Sequence, residues 1–147
     1  MKLFVPALFM FLLFGSCKKQ GPATEFTGKW KLIKIIDKAT SGSQFPPASA
    51  SSYLSITFGS GGTFSGNTLV NTISNGNYQI TDSSKLSFGT FSMTEVNEDD
   101  FGRGLLTVLM SCLLQSVHPC KPCEYSITGR KLYIKSPMRY DLLFEKM

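Results

Sequence analysis

The chain has 147 residues, 42% of them hydrophobic and 17% charged, with a formal net charge of +5. That length supports a single domain with one core, and the apolar share excludes a chain too polar to fold. No Lys/Arg run is interleaved with aromatic residues, so nucleic acid is excluded as an expected partner.

The N-terminus reads as an address. Lys2 precedes an apolar run from Leu3 to Phe14, Gly15 and Ser16 follow, and Lys18-Lys19-Gln20 turn polar directly after Cys17. A basic start, a short apolar segment and a small-residue exit form a secretion signal. As a helix the run would be about 18 Å long, short of a hydrocarbon core of about 30 Å. Phe14-Gly15-Ser16-Cys17 resembles a bacterial lipoprotein lipobox, with Phe14 where Leu is usual. The resemblance implies cleavage before Cys17 and acylation of that cysteine; an ordinary signal peptide with a chance cysteine is the alternative. The expected organisation is a signal peptide over 1–16, a polar tether over 17–25 and a domain over 26–147. The expected partner is a membrane, reached through the N-terminal lipid. By resemblance to lipoprotein sorting rules, Lys18 in place of Asp disfavours the inner membrane, and the lack of acidic residues beside it disfavours surface display. The expected location is therefore the bacterial cell envelope, at the outer membrane and facing the periplasm. Lys18, Lys19, Lys29, Lys31, Lys34 and Lys38 gather near the anchor. They read either as a solvated face or as a basic approach to an anionic bilayer.

Beyond the tether, Trp30 and Leu32 alternate with Lys29 and Lys31 as on a half-buried strand, then the apolar positions shift to Ile33 and Ile35. A bulge or burial on both faces must follow. Asp37 to Ser52 is rich in Ser, Ala, Gly and Pro and reads as a long loop. Tyr53 to Phe58 alternates with Leu54, Ile56 and Phe58 inward, and Gly59-Ser60-Gly61-Gly62 turns into Thr63–Gly66. Asn67 to Asn75 is irregular. Gly76 to Thr81 is a strand with Tyr78 and Ile80 inward, and a turn at Asp82–Lys85 leads into Leu86-Ser87-Phe88. Gly89 to Val96 is extended, with Phe91 and Met93 on one face.

The period then changes. Phe101, Leu105, Val108, Leu109 and Cys112 fall on one face of a helix that ends near Ser116. Asn97 or Glu98 to Asp100 supplies its acidic start, and Gly102 and Gly104 each weaken its first turn by about 1 kcal/mol relative to alanine. Three short strands follow, Glu124–Ile127, Lys131–Ile134 and Leu142–Phe144. The expected fold is α+β but mainly β: a small antiparallel β-barrel-like sheet with one amphipathic helix inserted before the C-terminal strands.

This order of features resembles the META domain of HslJ-type envelope and heat-shock proteins. The resemblance spans roughly Phe26 to Glu145. It is carried by Gly28-Lys29-Trp30-Lys31-Leu32, Ile56-Thr57-Phe58 with Ser65-Gly66, Asn71 with Gly76-Asn77-Tyr78, Thr94, the helix from Phe101 to Leu109, and Tyr125 to Leu132. Leu69-Val70-Asn71 replaces the family's Gly-Cys-Asn, and Glu95-Val96-Asn97 its Met-Ala-Cys. The resemblance implies a non-catalytic binding or envelope-integrity and stress module with no cofactor and no enzymatic activity. A lipocalin-like small lipoprotein barrel is the rival; it shares the Gly-x-Trp start but predicts no helix between Glu98 and Gln115.

Three cysteines follow Cys17. Export to an oxidising compartment favours a disulfide, and the odd count leaves one thiol over. The local pair Cys120–Cys123 is the first candidate, and a bond from Cys112 to either is the alternative. Redox work at Cys120-Lys121-Pro122-Cys123 lacks the helix N-terminus that would lower a thiol pKa. Cys112, His118, Cys120 and Cys123 have the ligand types of a Cys₃His metal site, but their spacing matches no finger or ribbon. A thiol-redox or metal-handling lipoprotein is thus the second functional expectation. Otherwise the barrel mouth beside Asp37–Ser52 is where an envelope protein or a small apolar ligand is expected to bind.

Overall fold

The computed structural model describes residues 24–48 and 52–147. The signal segment, Cys17 and the tether up to residue 23 lie outside the described residues. The strands are β1 (Gly28–Asp37), β2 (Gly42–Gln44), β3 (Ser55–Phe58), β4 (Thr63–Asn67), β5 (Thr72–Thr81), β6 (Lys85–Phe88), β7 (Ser92–Met93), β8 (Cys123–Thr128), β9 (Lys131–Lys135) and β10 (Tyr140–Lys146). Two helices, α1 (Asp100–Leu109) and α2 (Ser111–Leu114), separate β7 from β8. Hydrogen bonding runs β1–β3–β4–β5–β6–β8–β9–β10 and returns to β1, an eight-strand closed antiparallel barrel. Closure removes most of the edges at which those strands could pair with another chain, and β2 covers the far end of β1 beyond its pairing with β3. The expected mainly-β barrel with a helix before the C-terminal strands is what the chain forms.

β1 closes the barrel because it is long enough to serve two partners. Its first half pairs with β3, from Gly28 opposite Phe58 to Lys31 opposite Ser55, and its whole length follows β10, from Trp30 opposite Lys146 to Asp37 opposite Tyr140. The register slips between Leu32 and Lys34. This bulge explains the shifted apolar pattern: Trp30, Leu32 and Ile35 all point into the core although their spacing is not strictly alternate.

The structure corrects two boundaries and the facing of one residue. The segment after Asp37 is not loop throughout, because Gly42–Gln44 pairs with Ile35–Asp37 as β2. β5 starts at Thr72 rather than Gly76, with Ile73 buried in the stretch that looked irregular. Its alternation is broken at Asn75, whose φ of 54° is left-handed, and the facing β4 slips between Phe64 and Gly66. In β7, Met93 does not share the inward face of the half-buried Phe91, since it is 38% exposed.

Helix α1 starts where Asp99 accepts a hydrogen bond from the Gly102 N–H at 2.7 Å, the usual work of an N-cap. Phe101, Leu105, Val108 and Leu109 are buried, as their spacing predicts. The two glycines that weaken the helix are there for lack of room. A Cβ on Gly104 would stand 2.8 Å from Ile35 Cδ1, and one on Gly102 would stand 1.8 Å from Glu98 Oε2. At Gly104 the close approach of α1 to β1 outweighs helix propensity, while at Gly102 the crowding comes from Glu98 just before the helix. The helix stops at Met110, and the short α2 takes the chain on to Leu114.

The barrel is filled. Its core holds Trp30, Phe58, Phe64, Tyr78, Phe88 and Phe144 together with aliphatic residues from β1, β3, β5, β6, β9 and β10. Ahead of β1, Phe26 packs against Phe58, Tyr78 and Tyr125 at centroid distances of 4.4, 5.3 and 5.0 Å. Its carbonyl accepts a hydrogen bond from Trp30 Nε1 at 2.8 Å. The apolar face of α1 joins the same core, packing on β10 and β1.

Candidate functional site

A barrel of eight strands has an interior that side chains can just fill or that can hold one small ligand. Here large aromatic residues occupy it, with Trp30 and Phe26 wholly buried. The expected mouth beside Asp37–Ser52 does not open into it. β2 continues the wall there, and Asp37 is bound by Arg139, whose Nε donates to Oδ1 at 2.9 Å and whose Nη2 donates to Oδ2 at 2.5 Å. That guanidinium, above all, lowers the Asp37 pKa from 3.8 to about 2. Chemistry at this barrel must therefore be sought on its outer surface and in its connections.

A part-buried polar knot, centred on the buried Thr68 and Asn71, joins the β4–β5 connection to the strap before α1. Asn71 Oδ1 accepts from Thr94 Oγ1 at 2.9 Å and from the Val96 N–H at 2.8 Å. Its Nδ2 donates to the Val96 carbonyl at 2.7 Å and to Glu98 Oε1 at 2.6 Å. Thr68 Oγ1 also donates to Glu98 Oε1. Asn71 and Thr94, far apart in the chain, thus meet directly. Every hydrogen-bonding atom of the Asn71 amide is engaged, which marks the knot as a clasp holding the strap to the wall.

The cysteines pair differently from the first expectation. Cys112 is bonded to Cys120, while Cys123 is a free buried thiol. The expected Cys120–Cys123 bond is absent because Cys123 begins β8 with its side chain inward, beside Ser111 Oγ at 3.6 Å. Burial raises the Cys123 pKa, which disfavours the thiolate that redox or metal chemistry needs. His118 is exposed on the loop between α2 and β8. Among the described residues no three or more His, Cys, Asp or Glu side chains are grouped to hold a metal ion, so Cys112, His118, Cys120 and Cys123 do not converge.

The surface feature that sequence reasoning missed is a basic groove of about 560 Å³ where the chain enters β8 and leaves β9. Lys38, Lys85, Lys121 and Lys135 line it, with Glu124 and Asp141 between them. Lys38 Nζ lies 3.5 Å from Asp141 Oδ1, and Lys85 Nζ 2.6 Å from Glu124 Oε1. Lys121 and Lys135 make no ion pair among the described residues, so the groove keeps a positive excess. These lysines come from the residue after β1, from β6, from β9 and from the α2–β8 loop, and only the pairing of distant strands brings them together.

The fold is that of a small closed antiparallel barrel carrying a helical insertion. No protein-family model matches the chain, and no curated protein does. Two solved structures are similar to it. One is the NMR structure of a protein from Burkholderia xenovorans, 19% identical, with a TM-score of 0.59 over 82% of this chain and 81% of that one. The other is the crystal structure of a DUF4847 family protein from Bacteroides vulgatus, 14% identical, with a TM-score of 0.55 over 82% of this chain and 93% of that one. At such identities the likeness is one of fold alone. Among the described residues no helix is long and apolar enough to cross a membrane.

Proposed function

We propose that the chain is a lipid-anchored lipoprotein of the bacterial envelope, held through Cys17, whose META-like barrel is a non-catalytic binding module that works through its outer surface. The observation that carries this reading is the filled interior: Phe26 and the apolar face of α1 are built into one continuous core, so that among the described residues large side chains occupy the place a small apolar ligand would take. The Cys112–Cys120 bond adds support, since such a bond persists in the oxidising compartment to which a lipobox would send the domain. The alternative thiol-redox or metal-handling reading has less support, because the one free thiol among the described residues is buried in the core.

Metabolic labelling with palmitate, followed by envelope fractionation, tests the anchor. The wild-type chain is expected to take up label and to sediment with outer membrane, and Cys17→Ser to lose the label. An unlabelled, unprocessed product in the cytosol would overturn the reading.

A further inference from the structure

The basic groove is assembled with its lysines in fixed places. Lys85, Glu124 and Lys135 stand opposite one another across β6, β8 and β9, in a row on the outer wall. Glu124 Oε1 accepts from Lys85 Nζ at 2.6 Å. Lys135, its other cross-strand neighbour, makes no ion pair among the described residues. Lys121 reaches the same groove directly after the loop that the Cys112–Cys120 bond closes. Gln115 braces it there: Oε1 accepts from the Lys121 N–H at 2.8 Å, and Nε2 donates to the Lys121 carbonyl at 3.0 Å. Lys38 donates to the Ser136 carbonyl and lies 3.5 Å from Asp141 Oδ1. Three ammonium groups thus act on one carboxylate: Lys85 above all, then Lys135 and Lys121, hold the Glu124 carboxyl below its usual range.

The balance of charge decides what fits beside them. Glu124 offsets Lys85 and Asp141 offsets Lys38, so Lys121 and Lys135 are left as two positive charges lining one hollow. A carboxylate would neutralise one of them. A phosphate monoester, with a charge of about −1.5 to −2 at neutral pH and three acceptor oxygens, matches both. Pro122 and Pro137 give the groove an apolar side for the organic part of such an ester. Its volume of about 560 Å³ is that of a small-molecule site, for which about 300–1,000 Å³ is usual. We propose that the groove binds a water-soluble phosphate monoester, its phosphate held between Lys121 and Lys135, with Lys85 and Lys38 at the edges. This rests on the reading of the barrel as a binding module that works through its outer surface, and it names what that surface takes. The groove lies at the far end of β1, next to Lys38, whereas residues 24–28 enter the barrel at the other end. An anchor on that side brings it no lipid headgroup, which favours a soluble ester. Lysines carried by paired strands and a cross-linked loop are in position before the ligand arrives, which lowers the cost of binding.

Equilibrium dialysis of the full mature protein, in non-ionic detergent, against radiolabelled glucose 6-phosphate tests the site. The buffer holds ~0.1 M salt, which screens charges more than about 10 Å apart. Saturable binding of one equivalent per chain is expected. Inorganic phosphate should compete with the label and glucose should not. Lys121→Gln/Lys135→Gln should weaken binding by about tenfold or more, through the loss of two charge-assisted contacts. Both lysines are exposed, so that variant should fold as the wild type does. Lys29→Gln/Lys34→Gln removes the same charge from β1, outside the groove, and should leave binding unchanged. Absence of saturable binding, binding that survives Lys121→Gln/Lys135→Gln, or an equal loss in the control pair overturns the proposal. So does displacement of the label by phosphatidic acid in mixed micelles at a lower concentration than by unlabelled glucose 6-phosphate, since the site would then read a lipid phosphate. Release of inorganic phosphate from the bound ester would sink the non-catalytic reading while upholding the site.

Discussion

Gly66 lies in β4 where two backbones come closer than a side chain allows. A Cβ there would stand 2.2 Å from the Ser55 carbonyl oxygen and 3.1 Å from Ile56 Cα. Neither atom can swing aside, since both belong to the paired strand β3. Gly66→Ala should therefore destabilise the domain by about 1–3 kcal/mol, the usual cost of forcing extra volume into a packed site. Urea unfolding checks this, and an unchanged midpoint would show that β3 and β4 part more easily than their contacts imply. Gly62 is glycine for a different reason: it closes the β3–β4 turn with φ of 74°, a left-handed conformation costly for other residues.

At the scale of elements, the chain between α1 and β8 is held mainly by its disulfide. α2 spans only Ser111–Leu114, too short to be stable by itself. Its apolar Leu113 and Leu114 leave more than half of their surface in water and so contribute little burial. Closing a loop of this size restricts the unfolded chain by about 2–3 kcal/mol. The double variant Cys112→Ser/Cys120→Ser should lose stability of that order while keeping the barrel, as read by thermal melting and far-UV circular dichroism. Helix α1 should survive, because its attachment is separate: it is capped by Asp99 and packed on β1 and β10 through Leu105 and its neighbours. Thiol counting fits the same division. Of Cys112, Cys120 and Cys123, only Cys123 is free, and as a buried thiol it should react only after unfolding.

Over the whole molecule, charge is divided unevenly around the barrel wall. Between Lys38 and Asp82 the sequence has no Asp, Glu, Lys or Arg, so β3, β4 and β5 form an uncharged sector. The charged sector, from β6 through β8, β9 and β10 to β1, carries the ion pairs and the basic groove. Acid should act through those pairs. Arg139 lowers the Asp37 carboxyl from 3.8 to about 2, and lysines lower Glu124 and Glu145 as well. A carboxyl depressed in the folded state contributes stability above its unfolded pKa and loses it as pH falls through its folded value. For Asp37 that loss spans about pH 4 to pH 2. Urea midpoints measured across this window should fall for the wild-type protein. They should fall less for Asp37→Asn, which starts lower at neutral pH; parallel curves would mean that the pair is not linked to folding.

The sequence by itself determined what depends on neighbours along the chain. Alternation placed Leu54, Ile56 and Phe58 inward, the 3.6-residue period placed Phe101, Leu105, Val108 and Leu109 on the buried face of α1, and glycines fixed the β3–β4 turn. Those patterns record the shape of the chain itself, so they survive without knowledge of its partners. Tertiary structure decided what depends on encounters between distant segments. It paired Cys112 with Cys120 because β8 turns Cys123 into the core, and it drew Asn71 to Thr94 and Glu98. It extended pairing into Gly42–Gln44, where composition reads as loop, because the far end of β1 offers a free hydrogen-bonding edge there. The lysine groove was out of reach for the same reason. No local pattern links Lys38, Lys85, Lys121 and Lys135; the pairing of β6, β8 and β9 gathers three of them, and closing β10 onto β1 adds Lys38.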